Sequence, residues 1–193
     1  MAQRRHHYEQ AFESFMRSRR IPYISVNEAR RTLLPPAGGR CCPAADACAD
    51  DPGAPGRNLK SFDFVVYGAR RNLLLDIKGR KIPRRRGSRP LEPGRLENWV
   101  SRSDVDSLQA WQVLFGPGFE AGFVFVYWCE AQPPDGLFQE VFERNGRWYV
   151  LRAVRLEAYL PVMRPRSERW RTVDVPRAIF ERISEPFGAA GAT

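Results

Sequence analysis

The stretch LKSFDFVVYGARRNLLLDIKGRK, residues Leu59–Lys81, predicts two β-strands joined by a tight turn. Residues 62–67 and 72–78 are rich in β-branched, aromatic and aliphatic side chains, and Gly68–Arg71 separates them. A hairpin that folds about the midpoint of this turn places Asp63 opposite Asp76. The sequence therefore predicts two carboxylates facing each other across neighbouring strands.

This register also separates polar from apolar side chains. Because strand side chains alternate with period two, Lys78 is expected on the same face as the two carboxylates. The opposite face is expected to carry Phe62, Phe64, Val66, Leu73, Leu75 and Ile77. A slip of one residue would mix the two faces, which a buried sheet face resists.

The opposed carboxylates point to a metal site. Like charges opposite each other, with Cβ atoms roughly 4.5–5.5 Å apart, destabilise a sheet unless something binds between them. Mg²⁺ or Mn²⁺ is the expected occupant, because hard cations prefer carboxylate oxygens and water. Lys78 would then hold or deprotonate an attacking water, or stabilise charge on a phosphate. The alternative is an exposed hairpin in which Asp76 and Lys78 form a weak surface pair.

Asp63 followed by Asp76-Ile77-Lys78 on the next strand resembles the active site of the PD-(D/E)xK nuclease superfamily. The segment HYEQAFE, residues His7–Glu13, matches the motif of a bacterial family named HYExAFE. The first helix is also similar to that of the archaeal Holliday junction resolvases of this superfamily. These resemblances imply that Glu9 is the third acid of the metal site, with Glu13 as its substitute. On spacing alone, solvated surface carboxylates are the better explanation for both.

Hydrophobic periodicity predicts the elements around this hairpin. A helix is expected over residues 4–20, a strand over 21–26, a helix from a capping box at Ser103–Asp106 to about Phe115, and a buried strand over 121–128. The apolar stripe of the first helix is Tyr8, Ala11, Phe12, Phe15 and Met16. The order helix, strand, strand, strand, helix, strand is the αβββαβ core of the superfamily. We therefore expect a mixed α/β (α+β), restriction-endonuclease-like fold with a central mixed sheet flanked by helices.

A single domain over residues 1–193 is expected, with residues 137–193 as its elaboration. That elaboration includes a hairpin at Asn145-Gly146, a strand over 170–175 and a terminal helix. Residues 35–57, rich in Pro, Gly, Ala and Cys, are expected to form a flexible loop. Cys41, Cys42 and Cys48 within it lack the spacing of a zinc site, which favours free thiols.

The charge balance favours a nucleic-acid partner. The chain carries 31 Lys and Arg against 22 Asp and Glu, a net charge of +9, and Arg far outnumbers Lys. Arg suits phosphate, so DNA is the expected partner and RNA remains open. The segment after Lys78 is expected to be irregular and to contact the backbone through Arg80, Lys81, Arg84, Arg85, Arg86 and Arg89. The resemblance implies that Gln112, or else Gln109, lies near the site; a helix-surface amide is equally consistent.

The leading functional hypothesis is a Mg²⁺-dependent nuclease that hydrolyses phosphodiester bonds in DNA. One alternative is a nucleic-acid-binding protein that keeps the nuclease fold without turnover. The other is an ordinary hairpin in a protein whose basic charge serves an acidic protein partner. The N-terminus lacks the apolar core of a signal peptide and no apolar run could span a bilayer, so a cytoplasmic location is expected. A homodimer would allow both strands of a duplex to be cut, and the sequence leaves this open.

Overall fold

The computed structural model describes residues 3–26, 59–82, 96–130 and 141–188. Four α-helices and ten strands lie within these ranges, together with a 3₁₀ helix at Leu160–Val162. The helices are α1 Gln3–Ser18, α2 Arg102–Phe115, α3 Leu156–Tyr159 and α4 Arg177–Ile183. The strands are β1 Tyr23–Ser25, β2 Phe64–Val66, β3 Asn72–Ile82, β4 Val100–Ser101, β5 Phe119–Cys129, β6 Val141–Arg144, β7 Arg147–Arg155, β8 Arg164–Ser167, β9 Thr172–Asp174 and β10 Glu185–Pro186.

The main sheet has the strand order β1-β2-β3-β5-β7-β10, with β6 paired to β7. Strands β3 and β5 run parallel along their whole lengths, and the other neighbours are antiparallel. Residues 121–127 of β5 are buried on both faces, as expected for an apolar central strand. The predicted αβββαβ order and central mixed sheet are therefore confirmed.

One helix covers each face of this sheet near the hairpin. Helix α1 buries its predicted apolar stripe, including Phe12, Phe15 and Met16, against Phe64 and Leu75. On the opposite face, helix α2 packs with Leu74, Phe123 and Phe125 through two residues, Val105 and Leu108. Each fully buried side chain of this size contributes about 1.5–3 kcal/mol, so both helices are fixed mainly by packing.

The predicted hairpin register is confirmed. Phe64 pairs with Leu75, and Val66 pairs with Leu73. The prediction that Phe62 lies on the same face as Phe64 and Val66 is wrong. Phe62 belongs to the cluster on the α2 face, where its ring lies 5.5 Å from that of Trp111. The chain bends at Asp63, before β2 begins, so the period-two alternation stops there.

Two local predictions near the site are wrong. Strand β3 continues to Ile82 instead of becoming irregular after Lys78, because the parallel strand β5 supplies partners for residues 79–82. Gly79 fits within this strand because the Tyr8 ring of α1 lies where a Cβ atom would be. The capping box of α2 is Ser101–Asp104, two residues earlier than predicted. The same Ser-x-x-Asp spacing occurs at both places, and β4 ends at Ser101.

The C-terminal part adds strands that the sequence did not reveal. The hairpin at Asn145-Gly146 is confirmed, with both residues at positive φ. A second sheet of order β4-β9-β8 was not predicted, because β4 has two residues and β8 has the sequence RPRS.

None of the helices in the described ranges is long and apolar enough to cross a membrane. Residues 35–57, with their three cysteines, lie outside the described residues.

Candidate active site

A cavity of about 520 Å³ lies over the second half of β3. Its walls are the first turns of α1 at Tyr8 and Glu9, the segment 60–63 before β2, and the segment 99–104 that leads from β4 into α2. Three chain segments far apart in sequence thus meet at the predicted Asp-x-Lys strand. The fold is what places the predicted acidic and basic groups in one cavity.

Asp63 and Asp76 face each other at the floor of this cavity. The Asp63 amide donates to the Leu75 carbonyl at 2.9 Å, which continues the hairpin register beyond β2. Its carboxylate Oδ2 accepts a hydrogen bond from the Ile77 amide at 2.7 Å, and Asp76 lies near enough to act on the pKa of Asp63. The two predicted carboxyl groups are therefore neighbours in the same cavity.

These carboxyl groups hold a proton at unusually high pH. Burial, reinforced by the charge of Asp63, raises the pKa of Asp76 to about 7, although Lys78 opposes the shift. Burial and the charge of Glu9 also raise the pKa of Asp63. A pair of hard oxygen donors that shares a proton near neutrality is suited to Mg²⁺ or Mn²⁺, because a divalent cation would neutralise both charges in the proton's place.

Lys78 is buried and doubly paired. Its Nζ lies 2.7 Å from Asp76 Oδ2 and 2.9 Å from Asp104 Oδ2, and its side chain is 17% exposed. Burial alone would lower the pKa of Lys78, but the two carboxylates more than offset this and raise it. Lys78 is therefore a fixed ammonium group. The alternative that Asp76 and Lys78 form a weak pair on the surface is wrong, because their side chains are only 13% and 17% exposed.

Asp104 is a site residue that the sequence reasoning missed. It occupies position N3 of α2, where it accepts a hydrogen bond from the Ser101 amide and pairs with Lys60 Nζ at 2.8 Å. Burial opposes its ionisation, but Lys78 and Lys60 hold the pKa of Asp104 well below its usual range. A permanent negative charge thus pairs with the Lys78 ammonium in addition to Asp76. The Ser101-x-x-Asp104 capping pattern was the available signal.

The structure brings Glu9, and not Glu13, to the cavity. Glu9 lines the wall, and its charge acts on Asp63. Glu13, one turn further along α1, pairs with Arg17 at 2.8 Å and accepts a hydrogen bond from the Tyr23 hydroxyl. No three His, Cys, Asp or Glu side chains among the described residues are grouped closely enough to enclose a metal ion. Asp63 and Asp76 therefore form a pair, with Glu9 at its edge.

Gln112 lies away from the cavity. Its Oε1 accepts a hydrogen bond from the Ala121 amide at 2.9 Å, which joins α2 to the start of β5. Eight residues separate it from Asp104, or about 12 Å along the helix axis. Gln109 is exposed on the same helix. In this structure Gln112 positions α2 and does not line the cavity.

The basic residues after Lys78 divide into three groups. Arg80 forms part of the cavity wall, with its guanidinium 4.1 Å from the centre of the Trp99 ring and a hydrogen bond to the Trp99 carbonyl. Lys81 pairs with Glu130 and lies over the Trp128 ring. Arg84, Arg85, Arg86 and Arg89 lie outside the described residues. Among the described members, Arg80 alone lines the cavity.

No protein-family model matches the chain, and no curated protein matches it either. The resemblance to the HYExAFE family therefore stays a prediction. Among solved structures, the chain is similar to Hjc, a Holliday junction resolvase from the archaeal hyperthermophile Archaeoglobus fulgidus. The identity is 12% and the TM-score 0.47, over 96% of this chain and 98% of that one. At these values the likeness carries no argument about activity, which is inferred from the site's own geometry.

Proposed function

We propose that the protein is a metal-dependent nuclease that hydrolyses phosphodiester bonds in DNA. The observation that carries this proposal is the convergence of Asp63, Asp76 and Lys78, all partly buried, in one cavity. Burying ionisable groups and opposing two carboxyl groups costs folding free energy, and such arrangements cluster at functional sites. Tight packing of the surrounding sheet does not require them, since apolar residues would fill these positions at lower cost.

Asp63 and Asp76 would hold Mg²⁺ or Mn²⁺, with Glu9 contributing directly or through a water. Two carboxylates suffice for such a site, because Mg²⁺ keeps several of its waters. When bound, the ion supplies neutralisation of phosphate charge and a water with a lowered pKa. The hydrogen bond from the Ile77 amide would fix the Asp63 carboxylate in place for this task.

Lys78 acts as a cation in this proposal. Its raised pKa favours the protonated form, which supports the cationic role over the role of general base considered from the sequence. Its ammonium would hold the attacking water and offset the negative charge that develops on the phosphate. Its ion pairs with Asp104 and Asp76 limit its motion.

A nucleic acid is favoured as the substrate by the basic groups of the cavity wall. Lys60 and Arg80 line the cavity together with Lys78, and the whole chain carries a net charge of +9. Backbone phosphates would meet these cations as the scissile bond approaches the carboxylate pair. Pairing of two protomers to cut both strands stays a prediction.

Cleavage of supercoiled and branched DNA with Mg²⁺, with Mn²⁺ and with chelator tests the proposal. Asp76→Asn and Lys78→Ala should abolish metal-dependent cutting, because one removes a metal ligand and the other the cation beside it. Glu13→Gln is the matched control, since it neutralises a carboxylate on the cavity-lining helix at a position outside the cavity. Cutting that persists in chelator or in Asp76→Asn would contradict the proposal. Binding of DNA without cutting would favour the non-catalytic alternative.

A further inference from the structure

Strands β8 and β9 form a hairpin whose stem is attached to the edge of the cavity. Strand β9 pairs with β4, with Ser101 opposite Thr172. The Arg102 amide donates to the Arg171 carbonyl at 2.8 Å. Ser101 lines the cavity and caps the helix whose Asp104 holds Lys78. The base of the hairpin turn therefore lies next to Ser101, at the edge of the proposed catalytic cavity.

The turn of this hairpin, residues 168–171, presents an aromatic ring to solvent. Trp170 is 71% exposed, and the Arg169 guanidinium lies 5.4 Å from the centre of its ring. The turn is held by two hydrogen bonds, from the Trp170 amide to Ser167 Oγ and from the Arg171 amide to the Glu168 carbonyl. A large ring held outward on an ordered turn is suited to contact with a ligand.

Arginine side chains lie both beside the cavity and along the hairpin that carries this ring. Arg80 and Arg166 both lie over the Trp99 ring, at 4.1 and 5.0 Å, and Trp99 lines the catalytic cavity. Trp99 also lines a second cavity of about 330 Å³ beside the hairpin, together with Arg164, Arg166 and Arg177. Arg169 and Arg171 are the two chain neighbours of Trp170, and the Arg169 guanidinium lies over its ring.

The charge balance along the hairpin favours a polyanion as its occupant. Asp174 pairs with Arg164 at 3.0 Å, and Glu97 approaches Arg166 only to 4.0 Å. Glu168 is the only acidic residue in the turn, against two arginines. An acidic protein segment would satisfy the arginines, whereas every nucleotide of a nucleic acid supplies a phosphate for the arginines and a flat base for the ring.

We propose that this hairpin binds an unpaired DNA base beside the scissile duplex, with the Trp170 ring stacked on the base and the arginines on the flanking phosphates. This inference rests on the proposed function, and it names the substrate class of the same site. A base inside a continuous duplex is stacked on its neighbours and does not offer its face. The preferred substrate is therefore DNA with a branch or a single-stranded arm, and not uninterrupted duplex.

Fluorescence anisotropy in chelator tests this inference without any need for cleavage. The probes are a forked duplex with single-stranded arms and a blunt duplex of equal nucleotide number. Trp170→Ala is expected to weaken fork binding by roughly 5- to 150-fold, the range for one stacked base, with little effect on the blunt duplex. Trp170→Phe should keep most of the affinity because it keeps a ring. Leu114→Ala is the control, since Leu114 is 69% exposed near the far end of α2 and should change neither affinity.

A second readout reports on the base itself. With 2-aminopurine in the arm beside the duplex, stacking should quench the fluorescence with the native protein and with Trp170→Phe, but not with Trp170→Ala. Circular dichroism melting of each variant checks that the fold is retained. Equal losses of Trp170→Ala on both DNAs, or no loss on either, would overturn the inference.

The outcomes separate this inference from the proposed function. Selective loss of fork binding in Trp170→Ala supports the hairpin's role even if no metal gives cleavage, and that result would overturn only the nuclease proposal. Metal-dependent cleavage combined with unchanged fork binding by Trp170→Ala would overturn only the hairpin's role. Failure of the native protein to bind either DNA would overturn both.

Discussion

Replacing Asp76 by Asn is expected to stabilise the metal-free protein at neutral pH and above. Burial raises the pKa of Asp76 from 3.8 to about 7, with the charge of Asp63 adding to the effect. Between these values the folded state keeps a proton that the unfolded state has lost, so stability falls as the pH rises through about 7. Asn cannot ionise, so the variant escapes this loss.

The magnitude follows from the size of the shift. The pKa of Asp76 rises by about three units on folding, and about two of these units lie between pH 5 and the folded-state pKa. Each unit corresponds to about 1.4 kcal/mol. The free energy of unfolding of Asp76→Asn, relative to the native protein, should therefore increase by about 3 kcal/mol from pH 5 to pH 8. A change of this size is a large fraction of the stability of an ordinary domain.

Urea unfolding in chelator, at several pH values between 5 and 8, measures this difference. The comparison between the variant and the native protein cancels the contributions of titrating groups that do not interact with Asp76, whereas Asp63 and Lys78 respond to the substitution themselves. Asp106→Asn is the control, because it removes a carboxylate on α2 whose side chain is 45% exposed. A difference for Asp76→Asn that stays flat across this range, or falls with rising pH, would refute the reasoning about the buried pair.

Three further substitutions test other parts of the structure. Asp104→Asn should lower the cleavage rate by about 10- to 100-fold with little change in DNA affinity, because it loosens Lys78, and Asp104→Glu should restore part of the rate in single-turnover assays. Gly79→Ala should lower the melting temperature, because its Cβ would overlap the Tyr8 ring, and an unchanged value would contradict the described packing. Gln112→Ala should cost about 1 kcal/mol in chemical unfolding and leave the cleavage rate unchanged; a large loss of rate would restore Gln112 as a site residue.

The sequence predicted the central hairpin because its pattern is local. Alternating apolar residues and a short turn determine the register, and the register brings Asp63 to Asp76. The continuous apolar run of β5 likewise indicated a central strand, and the stripe of α1 indicated the helix that covers it. Each of these signals lies within one or two neighbouring segments.

The predictions that failed depend on contacts between distant segments. Strand β3 extends past Gly79 only because β5 lies parallel to it and Tyr8 fills the space above that glycine. Asp104 reaches Lys78 because α2 begins at the cavity, and the sequence offers two equivalent capping patterns for that start. Strand β8 has no strand-forming pattern and exists through its pairing with β9.

The rate of nicking of supercoiled DNA across a range of Mg²⁺ concentrations tests the central claim most directly, with Asp63→Asn compared with Glu13→Gln. Asp63 is the carboxylate that the Ile77 amide holds in place, whereas Glu13 lies outside the cavity on α1. The account predicts metal-dependent nicking by the native protein and by Glu13→Gln, and none by Asp63→Asn at any Mg²⁺ concentration. Nicking by Asp63→Asn at the native rate would contradict the assignment of this cavity as the active site.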